Sequence, residues 1–248
     1  MSEPGSLIRS LSGRSAARNF HSFVINEIGV GIASGRFPVG SILPRDAELM
    51  DMYGVSRTVL REALKTLEAK GLVEARPKVG TRVSPKSRWA LFDQQVLLWH
   101  FEAGPEEGFI RSLFDIRRLL EIEAVSLAAK HRTADHIRLM HYWVQQMEIS
   151  RPVPESFAIA ALELHRVTAD ASHNPLMRSI TGIVEFALAT TMPGGAGGEG
   201  EYDEATVAAY RGLVQLIERA DAECAAAAMS DIIAAELQSA ITNMQALD

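Results

Sequence analysis

Residues 55–71, with the sequence VSRTVLREALKTLEAKG, predict a helix that has one apolar face and one basic face. Ser56 is a favourable N-cap residue, and Gly71 suits the position just past a helix end. The apolar residues recur at helical spacing and form one stripe: Val59, Leu60, Ala63, Leu64 and Leu67. The residues off this stripe are basic or carry a hydroxyl: Arg57, Thr58, Arg61, Lys65 and Lys70. Such a helix can lie in a DNA major groove, although many solvated surface helices share the pattern.

The preceding segment predicts two more helices and a turn. Residues 19–34 have helical periodicity and end before Gly35, although Gly29 weakens that prediction. Pro44 suits the first turn of the next helix, which leads to Gly54 and a tight turn into Ser56. A helix, a glycine-containing turn and a second helix together indicate a helix-turn-helix.

The sequence after Gly71 predicts a β-hairpin with a basic tip. Residues 72–75 and 81–84 are expected to be its strands, joined by a turn over residues 76–80. The tip carries the basic residues Arg76, Lys78 and Arg82. A hairpin that follows a recognition helix is typical of a wing, whose basic residues can reach phosphates or the minor groove.

Residues 18–84 resemble the winged-helix DNA-binding domain of GntR-type bacterial transcription regulators. The resemblance lies in a G-x-(F/Y)-x-x-G-x-x-L-P entry, a V-S-R-x-x-x-R-E-A-L helix and an L-E-x-x-G-L-V exit with G-T-x-V in the wing. Ala47 replaces an arginine that is common in the family, and Arg45 is expected to compensate. The resemblance implies operator DNA contacts by Arg57, Thr58 and Arg61, and more weakly by Lys78, Gly80 and Thr81 of the wing. Arg45 is included as the compensating contact.

Charge is distributed unevenly along the chain. Residues 1–88 hold 14 basic and 8 acidic residues, whereas the remainder holds 11 and 23. The basic first part is expected to bind a polyanion, and the acidic second part is expected to bind a different kind of partner. The single cysteine, Cys224, excludes an internal disulfide. With a poor signal peptide and no apolar run near membrane-spanning length, we expect a soluble, cytoplasmic protein without a membrane partner.

The second half predicts an all-helical bundle. Helices are expected over residues 109–131, 135–150, 157–171, 174–189 and 205–246, the last broken near residues 219–221. This half resembles the FCD ligand-binding domain of the FadR-like branch of the same family, over residues 115–129, 164–176 and 220–229. The segment WALFDQQVLLW is most similar to regulators of sugar-acid catabolism such as galactonate operon repressors.

The complete prediction is a mainly α protein with an N-terminal winged helix-turn-helix followed by an FCD-type helical bundle. Its parts are a mobile tail (residues 1–15), the DNA-binding domain (16–86), an apolar junction (87–104) and an effector-binding domain (105–248). The junction is too apolar for a free linker and is expected to pack on both domains or on a partner subunit. The glycine-rich, acidic segment 192–204 is interpreted as a mobile connection.

Many FCD domains hold a divalent metal with one aspartate and three histidines. Here His165 aligns with the first histidine, but Ala161, Tyr210 and Ile232 stand at the other positions. Since a metal site normally needs three or four protein ligands, we expect no metal and no other cofactor.

A direct small-molecule pocket is therefore the favoured hypothesis for this half. The candidate ligand-binding residues are Arg117, Glu121, His165, Asn174 and Tyr210. Arg117 lies one turn before Glu121 and can recognise a carboxylate, although a simple helix-stabilising salt bridge is an equal alternative. Asn174 also suits a helix start. For His165 and Tyr210 the alternative is ordinary core packing.

The sequence thus predicts a homodimeric, ligand-responsive regulator. We favour a repressor of a catabolic operon, which leaves the DNA when it binds a small anionic metabolite such as a sugar acid. Two alternatives stay open: an acyl-CoA-responsive regulator, and a DNA-binding protein whose helical domain only dimerises. An enzyme is not expected, because the sequence of this half indicates neither a nucleophile–base pair nor a set of metal ligands.

Overall fold

The computed structural model of the chain describes residues 20–193 and 200–246, and within these ranges it is mainly helical, as predicted. The elements in chain order are α1 (Phe20–Ala33), α2 (Asp46–Tyr53), α3 (Arg57–Ala69), β1 (Val73–Arg76), β2 (Gly80–Val83), α4 (Gln94–Glu102), α5 (Glu107–His131), α6 (Ala134–Ile149), α7 (Pro154–Ala171), α8 (Thr181–Thr191), α9 (Glu204–Glu218) and α10 (Ala222–Gln245). They form two compact units, one within residues 14–105 and one within residues 106–248. The predicted mobile tail lies outside the described residues.

The helix-turn-helix of the first unit consists of α2 and α3. Gly54 adopts a left-handed conformation with φ of 63° and ends α2, as its place in the predicted turn requires. Ser56 caps α3 by accepting a hydrogen bond from the Val59 backbone N–H at 3.4 Å. The apolar face of α3 is buried through Leu60, Ala63 and Leu67, and this confirms the predicted stripe.

The wing is the antiparallel pair β1–β2, in which Val73 pairs with Val83. The strands are shifted from the predicted ranges by one residue each, because the ladder extends to Arg76 and Gly80 at the tip. Lys78 in the intervening turn has a φ of 64°.

The predicted junction contains a helix, α4, that the sequence analysis did not recognise. Trp89, Val96 and Trp99 of this segment are buried in the hydrophobic core of the first unit. Gly29 of α1 allows the approach of Trp99, since a Cβ at that glycine would lie 2.3 Å from the Trp99 ring. Asp93, the N-cap of α4, pairs with Lys70 at 2.7 Å, so the predicted basic residue Lys70 has a structural partner.

The second unit is a helical bundle in which α5 packs against α7 and α10. The predicted break between the last two helices is confirmed, since α9 ends at Glu218 and α10 begins at Ala222. The predicted helix over residues 174–189 is partly wrong. A short 3-10 turn, Met177–Ile180, precedes α8, because Pro175 and the Asn174 cap separate it from α7.

Helix α10 corrects the expectation that no apolar run approaches membrane-spanning length. It has 24 residues, and its most apolar 18-residue window has a mean hydropathy of 1.2, enough to cross a membrane by length and composition. One face of α10 is buried in the bundle, however, and this face includes Glu236, which pairs with Arg117 of α5.

Candidate DNA-binding helix and buried polar network

The outer face of α3 presents Arg57, Thr58 and Arg61 to solvent. Arg57 and Arg61 are one helical turn apart, so their side chains leave the helix on the same side. Neither arginine forms an ion pair with any residue in the described ranges. The buried back of α3 and the Ser56 cap fix the helix, so the two guanidinium groups remain available to a partner with acceptor oxygens.

Arg45 lies at the N-cap position of α2, where its backbone N–H donates to the Glu48 carboxylate at 3.2 Å. Its side chain is exposed. The structure thus gives Arg45 a backbone role in starting α2 and leaves its guanidinium on the surface.

The three basic residues predicted at the wing tip differ in their partners. Arg76 pairs with Glu74 at 2.6 Å, and the Arg82 Nε donates to the Gly40 carbonyl at 2.9 Å. Lys78 is exposed and has no ion-pair partner among the residues that the structure describes. Gly80 is also exposed, while Thr81 is half-buried. Of the three basic side chains, Lys78 is therefore best placed to contact a phosphate.

In the second unit, four of the five predicted ligand-binding residues meet in one buried network. Arg117 and Glu121 come from α5, His165 from α7 and Tyr210 from α9. Their exposed fractions are 1%, 4%, 6% and 1%. A fifth member, Glu236 of α10, completes the network and was missed by the sequence analysis.

Hydrogen bonds connect all five side chains. The Arg117 Nε donates to Glu121 at 2.6 Å, and the Arg117 Nη1 donates to Glu236. His165 Nδ1 lies 2.6 Å from the other Glu121 oxygen and so carries the hydrogen of that contact. The Tyr210 hydroxyl donates to Glu236 at 2.5 Å and lies 3.2 Å from His165 Nε2. Arg117 is thus bound by two carboxylates of its own chain.

This arrangement shifts the pKa values of its members. Burial alone would raise the pKa of Glu121, but Arg117 and His165 together outweigh burial and lower that pKa. Burial alone would lower the pKa of Arg117, but Glu121 and Glu236 together outweigh burial and raise that pKa. Burial and the neighbouring Glu236 raise the pKa of Tyr210. These shifts favour an ionised Glu121 against an ionised Arg117, with Tyr210 as a neutral donor.

The fifth predicted residue, Asn174, has a local role. Its Oδ1 accepts from the Leu176 backbone N–H at 3.1 Å, and its own N–H donates to the Ser172 hydroxyl. These contacts match the alternative interpretation of Asn174, that it starts a helical turn. They differ from the predicted contact with a ligand.

The network does not fit a divalent metal. Within residues 20–193 and 200–246, no group of three or more His, Cys, Asp or Glu residues is arranged to hold one. Ala161 and Ile232 are buried but offer no donor atom. A metal among Glu121, His165 and Glu236 would also face the fixed positive charge of Arg117, which already pairs with one carboxylate oxygen of each glutamate.

A cleft of about 410 Å³ opens beside the network. Helices α7 to α10 and the segment before α9 line it, and Tyr210 and Glu236 form the wall that it shares with the network. On the other side, Glu121 and His165 face a void of about 10 Å³, which has room for about one water molecule. Of these two spaces, the cleft on the Glu236 side is the one with room for a small molecule.

Glu236 has a sequence signal that could have identified it. It lies on the same helical face as Ile232, Ile233 and Ala240, which are buried. An acidic residue on an apolar stripe predicts a buried partner, because a buried carboxylate needs a countercharge or hydrogen bonds. No sequence spacing indicates that this partner is Arg117, 119 residues earlier.

Two family models match the two units. The model described as bacterial regulatory proteins, gntR family, matches residues 21–83, and the FCD domain model matches residues 112–235. The second match alone covers half of the chain.

Several curated proteins are similar in sequence. The HTH-type transcriptional repressor NanR of Salmonella newport is 32% identical over 179 residues, which cover 71% of this chain and 68% of that protein. The galactonate operon transcriptional repressor of Escherichia coli is 27% identical over 64% of this chain and 69% of that protein.

A third relative is matched over a shorter stretch. The HTH-type transcriptional regulator YieP of Escherichia coli is 40% identical over 48% of this chain, and the match spans about half of that protein, 52%. Among solved structures, Lar of Listeria monocytogenes superposes with a TM-score of 0.65 over 92% of this chain and 99% of that chain. At 17% identity, the Lar structure shows a shared fold.

Proposed function

Because the chain belongs to the gntR family of bacterial regulatory proteins and carries an FCD domain, we propose that it is a homodimeric repressor of a catabolic operon. The family consists of transcription regulators, not enzymes. The recognition helix α3 enters the major groove of operator DNA, and a small metabolite in the bundle cleft changes operator affinity. As a regulator of bacterial DNA it acts in the cytoplasm.

The observation that carries the proposal is that Arg57 and Arg61 are exposed on a helix whose opposite face is buried, and that neither forms an ion pair within the described part of the chain. Two arginines one turn apart match the acceptor atoms of guanine edges and phosphates. A two-fold dimer presents two such helices, so the operator is expected to contain two inverted half-sites about one helical turn apart.

The cleft supports a ligand-responsive protein over one whose helical domain only dimerises. Its volume of about 410 Å³ falls in the range of small-molecule sites, and polar side chains contribute to its wall. This volume favours a small polar metabolite over an acyl-CoA. The name of the galactonate operon repressor supports a sugar-derived effector. The negative charge of that effector was predicted from Arg117 and from the resemblance of residues 89–99 to sugar-acid regulators, but Arg117 is paired within the chain.

The test is selection of bound sequences from random duplex DNA by the purified full chain, followed by footprinting. We expect an inverted repeat and a log-affinity that falls linearly with log salt concentration. Arg61→Ala should weaken binding to the selected site, whereas Arg111→Ala, an exposed change in α5 that removes the same charge, should not. Failure to enrich any sequence would contradict the proposal.

A further inference from the structure

We propose that the Arg117 guanidinium is the built-in cation of the helical bundle and takes the place of a bound divalent metal. The resemblance to FCD domains implies such a metal, whereas the network of this chain does not fit one. The inference rests on the proposed function only through the assignment of the bundle as the effector domain. It adds that this domain needs no metal ion to hold its helices together.

Arg117 lies where side chains from four helices of the bundle meet. It comes from α5, and the other helices that contribute to the network are α7, α9 and α10. The Arg117 side chain is 0% exposed, and its partner Glu236 is 119 residues later in the chain. Joining side chains from separate parts of a chain around one buried cation is also what a structural metal ion does.

Three acceptor atoms converge on the Arg117 guanidinium. Nε donates to Glu121 Oε2 at 2.6 Å, Nη1 donates to Glu236 Oε2, and Nη2 lies 3.5 Å from His165 Nε2. Each nitrogen of the guanidinium thus faces one acceptor from a different residue. Two carboxyl oxygens and one imidazole nitrogen also make up a ligand set that suits zinc and similar divalent ions.

The His165 ring is oriented as a metal-binding histidine is. Its Nδ1 carries a hydrogen and lies 2.6 Å from Glu121 Oε1, so its Nε2 keeps a lone pair. In metal sites the same contact with a carboxylate fixes the ring and directs the other nitrogen to the metal. The Tyr210 hydroxyl, 3.2 Å from Nε2, gives its hydrogen to Glu236. The donor that faces the Nε2 lone pair is therefore Nη2 of Arg117.

Arg117 and a divalent ion exclude each other at this point. Both need the same oxygens of Glu121 and Glu236. Arg117 stays charged, because the two glutamates outweigh burial and raise its pKa, and a second cation would be repelled. The void beside Glu121 and His165 is about 10 Å³ and has room for about one water molecule. Removing the Arg117 side chain should therefore open the site to a metal.

The test adds divalent metals to the original chain and to Arg117→Ala in the absence of DNA. Purified full chains are treated with EDTA, and zinc chloride or manganese chloride is then added for thermal denaturation and titration calorimetry. The original chain should melt within about 1 °C of the same temperature under all these conditions. Arg117→Ala should be less stable in EDTA and should gain about 5–10 °C with metal at about a hundred times its dissociation constant.

Three further variants show where the metal binds and what excludes it. Arg117→Ala/His165→Ala lacks one of the three ligands and should lose the gain, although the histidines elsewhere in the chain remain. Arg117→Lys keeps a cation in the site and should show no gain. The matched control is Arg111→Ala, which removes an exposed arginine from the same helix and should behave as the original chain does.

A metal-dependent shift of the original chain that His165→Ala abolishes would overturn the proposal, because a metal would then bind beside Arg117. An Arg117→Ala variant that gains no stability from either metal, or that fails to fold even with metal, would also overturn it. An equal gain in Arg117→Lys would show that the cation is not what excludes the metal. These measurements need no operator, so their failure is distinguishable from a failure of the DNA selection.

Discussion

Arg57 and Arg61 in the first unit, and Arg117 and Glu121 in the second, are each separated by one helical turn, but their surroundings are opposite. On α3, two like charges share an exposed face, an arrangement that costs roughly 0.2–0.5 kcal/mol in an isolated helix. On α5, two opposite charges share a buried face and bind each other at 2.6 Å. In the proposed function, the exposed pair gains its favourable interactions from DNA. The buried pair has its partners within the chain, and this is why Arg117 is not available to an effector.

The largest expected effect follows from removing the buried cation. Arg117→Met keeps much of the side-chain volume but leaves Glu121 and Glu236 buried without their countercharge, so we expect a loss of about 3–5 kcal/mol in the free energy of unfolding. Urea denaturation followed by circular dichroism measures this loss. The matched control is Arg111→Met on the same helix, whose ion pair with Glu107 is exposed and is worth at most about 1 kcal/mol. Equal losses in the two variants would contradict the contrast between exposed and buried charges.

Lowering the pH should reduce the free energy of unfolding by less. Protonation of Glu121 removes one partner of Arg117, while the pair of Arg117 with Glu236 remains. The folded-state pKa of Glu121 lies below its ordinary value of 4.5. Its contribution to stability is therefore fully present above about pH 4.5 and is lost as the pH falls through the lower folded-state value. Glu121→Gln should destabilise the protein at neutral pH and flatten the acid side of the stability profile.

The measurement is the melting temperature between about pH 3 and pH 7. Glu123→Gln, an exposed change two residues away on α5, should leave the profile as in the original chain. If both variants flatten the profile equally, the acid sensitivity does not come from the network.

The same contrast explains how much could be predicted from the sequence. The DNA-binding helix is local: its cap, its apolar stripe and its exposed arginines lie within residues 55–71, so they could be assigned from that segment alone. The network is not local, because Glu236 comes from the last helix and no spacing links it to Arg117. The grouping of Arg117, Glu121, His165 and Tyr210 could be predicted from the resemblance, but their binding to one another could not.

The wing and the junction illustrate the same limit on a smaller scale. The basic tip of the wing could be predicted. The hydrogen bond from Arg82 to the Gly40 carbonyl could not, because the two residues are 42 positions apart in the sequence. The segment around α4 could be recognised as too apolar for a linker. Its place in the core of the first unit depends on the fit between Trp99 and Gly29, which no local pattern contains.

Arg61→Ala tests the role of the exposed arginine pair on α3. We expect operator binding to weaken by about 1–3 kcal/mol, because a base contact of that size is lost, with the free energy of unfolding changed by less than about 0.5 kcal/mol. Fluorescence anisotropy with the selected operator measures the affinity. If Arg61 contacts a phosphate instead, affinity for all sequences should fall together, and the salt slope should decrease by about 0.9. A loss of stability comparable to that of Arg117→Met would show that Arg61 is a structural residue.

The smallest effect concerns Ser56, where stability and DNA binding can be separated at one position. Ser56→Ala removes the side chain that accepts from the Val59 N–H and should cost about 1 kcal/mol of folding stability. Ser56→Asp keeps a side-chain acceptor at the N-cap and should retain that stability. Its negative charge, next to Arg57 at the end of α3 that approaches DNA, should nevertheless weaken operator binding more than the alanine does. If the two variants bind operator equally well, the N-terminal end of α3 does not approach the phosphates, and the orientation of the recognition helix has to be revised.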